Sequence, residues 1–397
     1  MNFAIKVKNY IKEYFPNIIY LIKFINNRYM ITNFYNTNFK KNALLAYITK
    51  PFKKEYISHT NFFEARSWAK VLHELGYNVD IVNYETTKKV NLLKYNLICG
   101  FGDIFQDYYE LSIKNNIKTI YYGTGMHVCY NNHATLKRVQ DVYNKKGVWI
   151  SKSSRFIEKT WTHQMVLVDG MIVLGNNTCA NTYKPYYNRK IYSVPAPFYK
   201  TQNAADIIKS RDKNANKSFL WFGSAGLIHK GLDILLEYFS KNQNLTLHIC
   251  GNIESEMDFM CTYKQELYDF SNIILHGFVD INNNEFTDIL KKCSFIVFPS
   301  CSEGGCPSVL TCIGNGGLIP IVTKETAIDT GYEIWIDSLD YAGIDHAIKY
   351  ALSLKQNDIL NMQIKNYNYV LKNNSLENYY AKLKDSISEI IGTTNEV

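Results

Sequence analysis

The sequence predicts an α/β protein made of two Rossmann-like halves facing each other. Three observations predict it. Apolar runs of strand length alternate with helical patterns along most of the 397 residues, and such alternation builds βαβ units around a parallel sheet. The alternation pauses once, where composition turns polar between Pro195 and Lys217, and then starts again. With 46% hydrophobic residues, a chain of this length has apolar surface for two cores rather than one.

Residues 1–41 form a basic, aromatic segment. Seven lysines and arginines stand there against Glu13 alone, a surplus of six out of the chain's net charge of +8. Tyr10, Ile11, Tyr14, Phe15, Ile18, Ile19, Ile22 and Ile25 interleave with those cations. The segment reads either as a strip lying on an anionic membrane surface, or as a packed helix or solvated tail interrupted at Pro16. The longest early apolar run, Ile18–Ile22, is cut by Lys23, whereas a spanning helix needs about 20 apolar residues. No signal peptide is convincing. Nine cysteines, odd in number and without a CxxC pair, argue against a disulfide framework or a zinc site and favour a reducing cytoplasm. The expected location is cytoplasmic, with the inner membrane face as a peripheral site. No motif that reads nucleic acid accompanies the charge.

The first domain is expected over 42–200. Its strands are read at 43–48, 79–82, 96–99, 118–122, 171–174 and 191–194, with a helix over 61–75 ended by Gly76. A linker is placed at 201–217. The second domain, 218–374, repeats the pattern with strands at 219–222, 245–249, 273–275, 295–298 and 318–322. Leu376, Tyr379, Tyr380, Leu383, Ile387 and Ile390 then mark a last amphipathic helix in 375–397, expected to pack across both domains.

Most of the chemistry is concentrated after the strand at 295–298. Pro299 stops that strand, Ser300 to Ser308 follow with Glu303, Gly304, Gly305 and Cys306, and Pro307 opens a short helix before the next strand. Proline suits the first helical position because its missing N–H would be unpaired there anyway. Glycines allow close backbone approach, and a helix N-terminus at the carboxyl end of a strand favours anions such as phosphate. A second turn, Gly223 to Gly231, joins the strand at 219–222 to the helix starting at Leu232, with Ser224 inside it and Lys230 at its end. It reads either as a diphosphate cradle or as a tight turn with a solvated lysine.

Together the two turns, some seventy residues apart, resemble the second half of GT-B fold glycosyltransferases, most closely the retaining enzymes of family 4. The resemblance covers roughly residues 218–325 well and the first half loosely. It implies two Rossmann-like domains across a cleft, a nucleotide-sugar donor held by the second and an acceptor by the first. It implies that Gly223, Ser224 and Lys230 grip the donor diphosphate and that Glu303 sits beside the donor sugar, with Gly304, Gly305, Cys306, Pro307 and Ser308 around it. Two positions depart from the family. Ser224 stands where the family has arginine, leaving more phosphate charge to Lys230 and backbone amides. The family's second glutamate falls on Thr311, or on Cys312 if the turn holds one extra residue.

In the first half, His127 ends the run Tyr121 to His127 behind a strand and looks like the family's histidine near the reacting centre; Thr124 lies in the same run. The bland alternative is a core or loop histidine. His127, Cys129 and His133 lack a fourth metal ligand at useful spacing. His59 and Asn61 are acceptor-side candidates, with Thr60 or Asn61 as a plain helix cap; Lys53 and Lys54 are candidates for acceptor or membrane phosphate. No Asp-x-Asp pair occurs.

The expected activity is transfer of a sugar from a nucleoside-diphosphate sugar to a glycan, lipid-linked or other hydroxyl acceptor. Retention, no metal, no cofactor, and a place in surface polysaccharide or glycolipid synthesis are expected with it. A sugar-nucleotide epimerase of the same fold and a non-catalytic sugar-nucleotide or glycan binder stay open.

Overall fold

A computed structural model of the chain describes residues 17, 21, 24–25, 27–53, 59–111, 117–150, 152–159 and 162–392. Two sheets run through it. The first contains β1 (Met30–Ile31), β2 (Lys41–Tyr47), β3 (Tyr77–Asn83), β4 (Leu97–Gly100), β5 (Lys118–Gly123), β6 (Gly170–Leu174) and β7 (Ile191–Val194), in the order β1-β3-β2-β4-β5-β6-β7. β2 pairs in parallel with β3 and β4, and β4 with β5, while β1 adds antiparallel to β3. The second contains β8 (Ser218–Phe222), β9 (Thr246–Cys250), β10 (Ile273–Gly277), β11 (Phe295–Phe298), β12 (Ile319–Val322) and β13 (Ile334–Trp335), ordered β10-β9-β8-β11-β12-β13. Every pair in it is parallel.

The chain forms two compact units, Met1–Gly123 with Trp161–Ile172 and Leu383–Val397, and Thr124–Thr160 with Val173–Lys382. In the first, Ala43, Leu44, Leu45, Val79, Ile81, Leu97 and Ile98 are buried in the strands under Trp68, Val71 and Leu72 of the Thr60–Glu74 helix. In the second, Phe219, Leu220, Trp221, Ile249 and all of β11 are buried. Strands covered on both faces read as unbroken apolar runs. That is why β2 to β6, β8, β9, β11 and β12 stand out in the sequence, whereas β7 and β10 are only partly buried and β1 and β13, two residues each, carry no readable period.

The stretch read as a linker holds a helix, Ala204–Lys209, with Ala204 and Ile207 buried. Just before it, the N–H groups of Thr201 and Gln202 donate to Oδ1 of the buried Asn315 at 2.6 and 2.8 Å. The basic N-terminal strip lies largely outside the described residues. Lys53 is described, with its ammonium 3.7 Å from the centre of the Tyr29 ring; Lys54 is not. The last helix, Leu376–Ile391, buries Tyr379, Leu383 and Ile387, one per turn, and the chain returns to the first unit at Leu383.

Candidate functional site

Both glycine turns belong to the second unit, at the carboxyl ends of neighbouring strands β8 and β11. The first turn is wound tightly: Lys230 N–H donates to Gly226 O, Gly231 N–H to Ile228 O, and Leu232 N–H to Leu227 O. Gly231 has φ 67°, and a Cβ there would lie 2.2 Å from Pro299 O, so only glycine lets the two turns approach this closely. Gly223 rests against the Trp221 ring. The Lys230 ammonium donates to Ser224 Oγ at 2.8 Å, and Lys230 is 4% exposed. The N–H groups of Gly226 and Leu227 both donate to the buried Glu256 carboxylate, the second at 3.1 Å. Two of the amides expected to meet phosphate thus already have an anionic partner.

In the second turn, Ser300 Oγ donates to Glu303 Oε1 at 3.2 Å, and Arg155 Nη1 stands 3.6 Å from Glu303 Oε2. Burial pushes the Glu303 carboxyl up, but Lys230, Arg155, His229 and the Ser300 hydroxyl together hold it below the usual carboxylate range. Its charge is stabilised by these side chains, not by amides of the Pro307 helix. Burial lowers the Lys230 ammonium, and Glu303 offsets part of that. His229, 1% exposed, meets Ser302 O through Nε2 at 2.6 Å and Cys301 Sγ through Nδ1 at 3.4 Å. A neutral ring with its proton on Nε2 satisfies both contacts; burial takes its pKa down to about 4.

Gly304 and Gly305 were expected to admit a ligand. Instead they admit other parts of the chain: a Cβ on Gly304 would lie 2.5 Å from Thr124 O, and one on Gly305, where φ is 80°, would lie 2.7 Å from Ala196 Cβ. Cys306 takes a left-handed φ of 43° at the cap position, a strained conformation for a residue with a Cβ. Its Sγ is 3.6 Å from Ser308 Oγ. Pro307 opens the Pro307–Gly316 helix as expected. Thr311 Oγ1 donates to Pro307 O of its own helix at 2.7 Å, and Cys312 is fully buried.

His127 caps the Val128–Lys146 helix, its Nδ1 accepting Cys129 N–H at 3.2 Å. Tyr186 stacks on its ring at 3.9 Å, the residue is fully buried, and Nε2 has no partner. Burial lowers its pKa to about 4. Thr124 is exposed. Behind Tyr186 lies a pocket of about 570 Å3 that includes Cys129 and His133 in its wall. His59 and Asn61 belong to the first unit, where His59 Nδ1 accepts Asn61 N–H at 3.2 Å and is itself the helix cap, in place of Thr60 or Asn61. Among the described residues no three His, Cys, Asp or Glu side chains converge on a metal position.

The second unit therefore gathers Ser224, Lys230 and Glu303, and adds Arg155, His229 and Glu256, which the sequence reading did not single out as site residues. His229 is legible as Lys230's neighbour in a motif. Arg155 lies in an irregular polar stretch and carries no local signal; only the fold brings it to Glu303.

Two mainly parallel sheets in an α/β chain, with glycine turns at strand ends, define a two-domain class of Rossmann-like proteins. The particular fold is that of GT-B glycosyltransferases. Anabaena HepE, solved with UDP and glucose, matches with a TM-score of 0.57 at 11% identity, over 88% of this chain and 99% of that one. A glycosyltransferase from Rickettsia africae matches with a TM-score of 0.56 at 12% identity, over 90% and 100%. TarM of S. aureus matches with a TM-score of 0.47 at 15% identity, over 73% of this chain, which spans 54% of TarM. No protein-family model and no curated protein matches the sequence.

Proposed function

We propose that the chain is a glycosyltransferase that moves a sugar from a nucleoside-diphosphate sugar to a hydroxyl acceptor on a glycan or lipid. The observation that carries this is the cluster of the buried Lys230, the mostly covered Glu303 and the half-exposed Arg155 where two glycine turns meet. HepE, of the same fold, was solved with UDP and glucose. In this reading Lys230 and Ser224 bind the diphosphate, and Lys230 neutralises the charge that grows on it as the glycosidic bond breaks. Glu303 accepts hydrogen bonds from donor hydroxyls and holds the ring in place. The anomeric carbon loses its bond to the phosphate oxygen and gains one to the acceptor oxygen on the same face. The acceptor's proton passes to a leaving phosphate oxygen. Tyr186 covers His127, so a ligand meets that histidine only when Tyr186 swings away.

Family 4 membership, retention, independence of metal, surface polysaccharide or glycolipid synthesis and a peripheral membrane position belong to the same proposal. Family, retention and pathway rest on the resemblance of the two turns, independence of metal on the sequence having no Asp-x-Asp pair, and the membrane position on the surplus of charge in residues 1–41. Transfer is favoured over epimerisation because the cations around Glu303 keep it ionised, whereas a residue that takes and returns a proton works best with a pKa nearer neutral.

Incubation with UDP-, GDP- and ADP-sugars tests the reading, with wild type compared to Glu303→Gln. Loss of one charge-assisted contact in the transition state lowers transfer roughly tenfold to a thousandfold, with nucleoside-diphosphate affinity nearly kept. A variant that turns over like wild type would place the donor sugar elsewhere.

A further inference from the structure

Segment 152–157 holds neither helix nor strand, yet it is fixed at both ends. Lys152 N–H and Ser153 Oγ donate to the Asp258 carboxylate at 3.1 and 3.3 Å. Ile157 N–H donates to Asn132 Oδ1, and Ile157 O accepts from Asn132 Nδ2, both at 2.9 Å. Between these anchors, Arg155 N–H donates to Oγ1 of the fully buried Thr135 at 3.1 Å, and Arg155 O accepts from Nδ2 of the buried Asn131 at 2.9 Å. Both backbone groups of Arg155 are thus taken by side chains of the Val128–Lys146 helix, so its own side chain leaves from a fixed point.

That side chain bridges the two glycine turns. Its stem crosses the first: a Cβ on Gly226, where φ is 90°, would lie 2.7 Å from Arg155 Cδ and closer still to Cγ, so glycine is what lets the stem lie there. Its head reaches the second, with Nη1 3.6 Å from Glu303 Oε2. A guanidinium acting only as the counter-ion of a carboxylate closes to about 2.7–2.9 Å and pairs two N–H groups with two oxygens. Here the approach stops short of a hydrogen bond, and among the described residues no group accepts one from the Arg155 guanidinium.

The two cations at the junction differ in access. Lys230 is 4% exposed, whereas 49% of the Arg155 side chain is open to solvent. They also oppose each other: besides burial, the Arg155 charge is among the causes that lower the Lys230 ammonium. The Glu256 carboxylate nearby is occupied by the Gly226 and Leu227 N–H groups. An anion arriving where the turns meet relieves the opposition, and it meets Arg155 before Lys230.

We infer that Arg155 is a second diphosphate-binding residue, delivered to the site by a strap from outside both glycine turns; the diphosphate rests on the transferase reading above. Its planar fork of N–H donors engages two phosphate oxygens at once, which the ammonium of Lys230, a point charge, does not. Turning the guanidinium onto phosphate breaks no hydrogen bond to Glu303, and it leaves that carboxylate to the donor hydroxyls.

Calorimetric titration of the full chain with UDP, GDP and ADP tests this. For the one that binds most tightly, Arg155→Gln should raise Kd about tenfold, as for a hydrogen bond to a charged group lost from a half-exposed site. The affinity of the matching nucleoside should not change. Arg155→Lys, which keeps the charge without the fork, should fall between wild type and Arg155→Gln. The loss should persist in a Glu303→Gln background, because a contact made to phosphate does not pass through that carboxylate. The inference is overturned if Arg155→Gln binds diphosphate like wild type or weakens the nucleoside equally. It is overturned too if the effect vanishes in the Glu303→Gln background, which would make Arg155 a counter-ion of Glu303 alone. The two readings fail separately. Diphosphate binding that Lys230→Ala weakens and Arg155→Gln does not overturns the assignment of Arg155 and leaves the transferase reading. Binding of none of the three diphosphates to wild type overturns the transferase reading, and the role of Arg155 with it.

Discussion

Lys230 is buried beside an anion, and the two charges are unequal in what they lose when a ligand leaves. Burial weakens its ammonium, and Glu303 supports it only in part. In the proposed site, a diphosphate arriving next to it would supply the missing counter-charge. Lys230→Ala should therefore weaken nucleoside-diphosphate binding by on the order of 1.5–3 kcal/mol while barely changing nucleoside binding, as calorimetric titration of both ligands would show. Equal losses would put the lysine outside the phosphate site. His229 makes a second residue-scale prediction. Its ring is held at about 4 against an ordinary 6.5 because it is buried. The unfolded chain takes up that proton near pH 6.5 and the folded chain does not, so stability is present above that pH and is lost as pH falls from about 6.5 to about 4. The full shift is worth on the order of 3 kcal/mol. His127 and His248, also brought to about 4 by burial, act in the same direction. The melting temperature should fall between pH 7 and pH 4.5, and His229→Gln should flatten that slope; parallel curves would assign the titration to other groups.

At the scale of elements, the parallel strands were legible because burial on both faces removes polar residues from them, and the turns were legible because glycine and proline mark them. Helix capping was less so. His59 and His127 each cap through a ring nitrogen, a role the side chain does not advertise in a sequence. The purpose of the glycines was also hidden. Gly304 and Gly305 face the Thr124 carbonyl and Ala196, partners more than a hundred residues away in the chain, so their spacing announces a close approach without naming what approaches. Gly231 has the same ambiguity, and its substitution is the sharper probe. Gly231→Ala would force a Cβ into Pro299 O at a left-handed φ. The strain should cost about 1–3 kcal/mol and pull Lys230 out of register, visible as a lower melting temperature together with weaker diphosphate binding. A fully stable variant with normal binding would mean that the two turns are not held against each other.

At the scale of the molecule, the chain passes between its two units at Gly123, Thr160, Ile172 and Lys382, so neither unit is one continuous stretch. Alternation of strands and helices shows how many sheets to expect but not which early helix ends up with the later strands. The Val128–Lys146 helix does. Its Arg138 meets Asp233 of the Leu232–Lys241 helix at 2.5 Å, with 3% and 4% of the side chains exposed. Removing one partner of such a pair leaves a buried charge uncompensated, at a cost of about 3–5 kcal/mol. A fragment of residues 201–397 keeps Asp233 and lacks Arg138. It should show no cooperative thermal transition by circular dichroism, and a sharp melt from that fragment would show that the early helix is dispensable.

Glu256 gives the Gly223 to Gly231 turn a property that ligand-binding loops seldom have. By engaging the Gly226 and Leu227 N–H groups, it plays for this turn the part that a bound anion plays elsewhere, so the order of the loop is built into the chain. A nucleotide bound there, as proposed, would meet a finished surface, and little of its binding energy would be diverted to freezing the backbone. The corresponding amides are shut away from solvent in the resting protein, and their hydrogens are expected to exchange with heavy water at the pace of a helix interior rather than of an open loop.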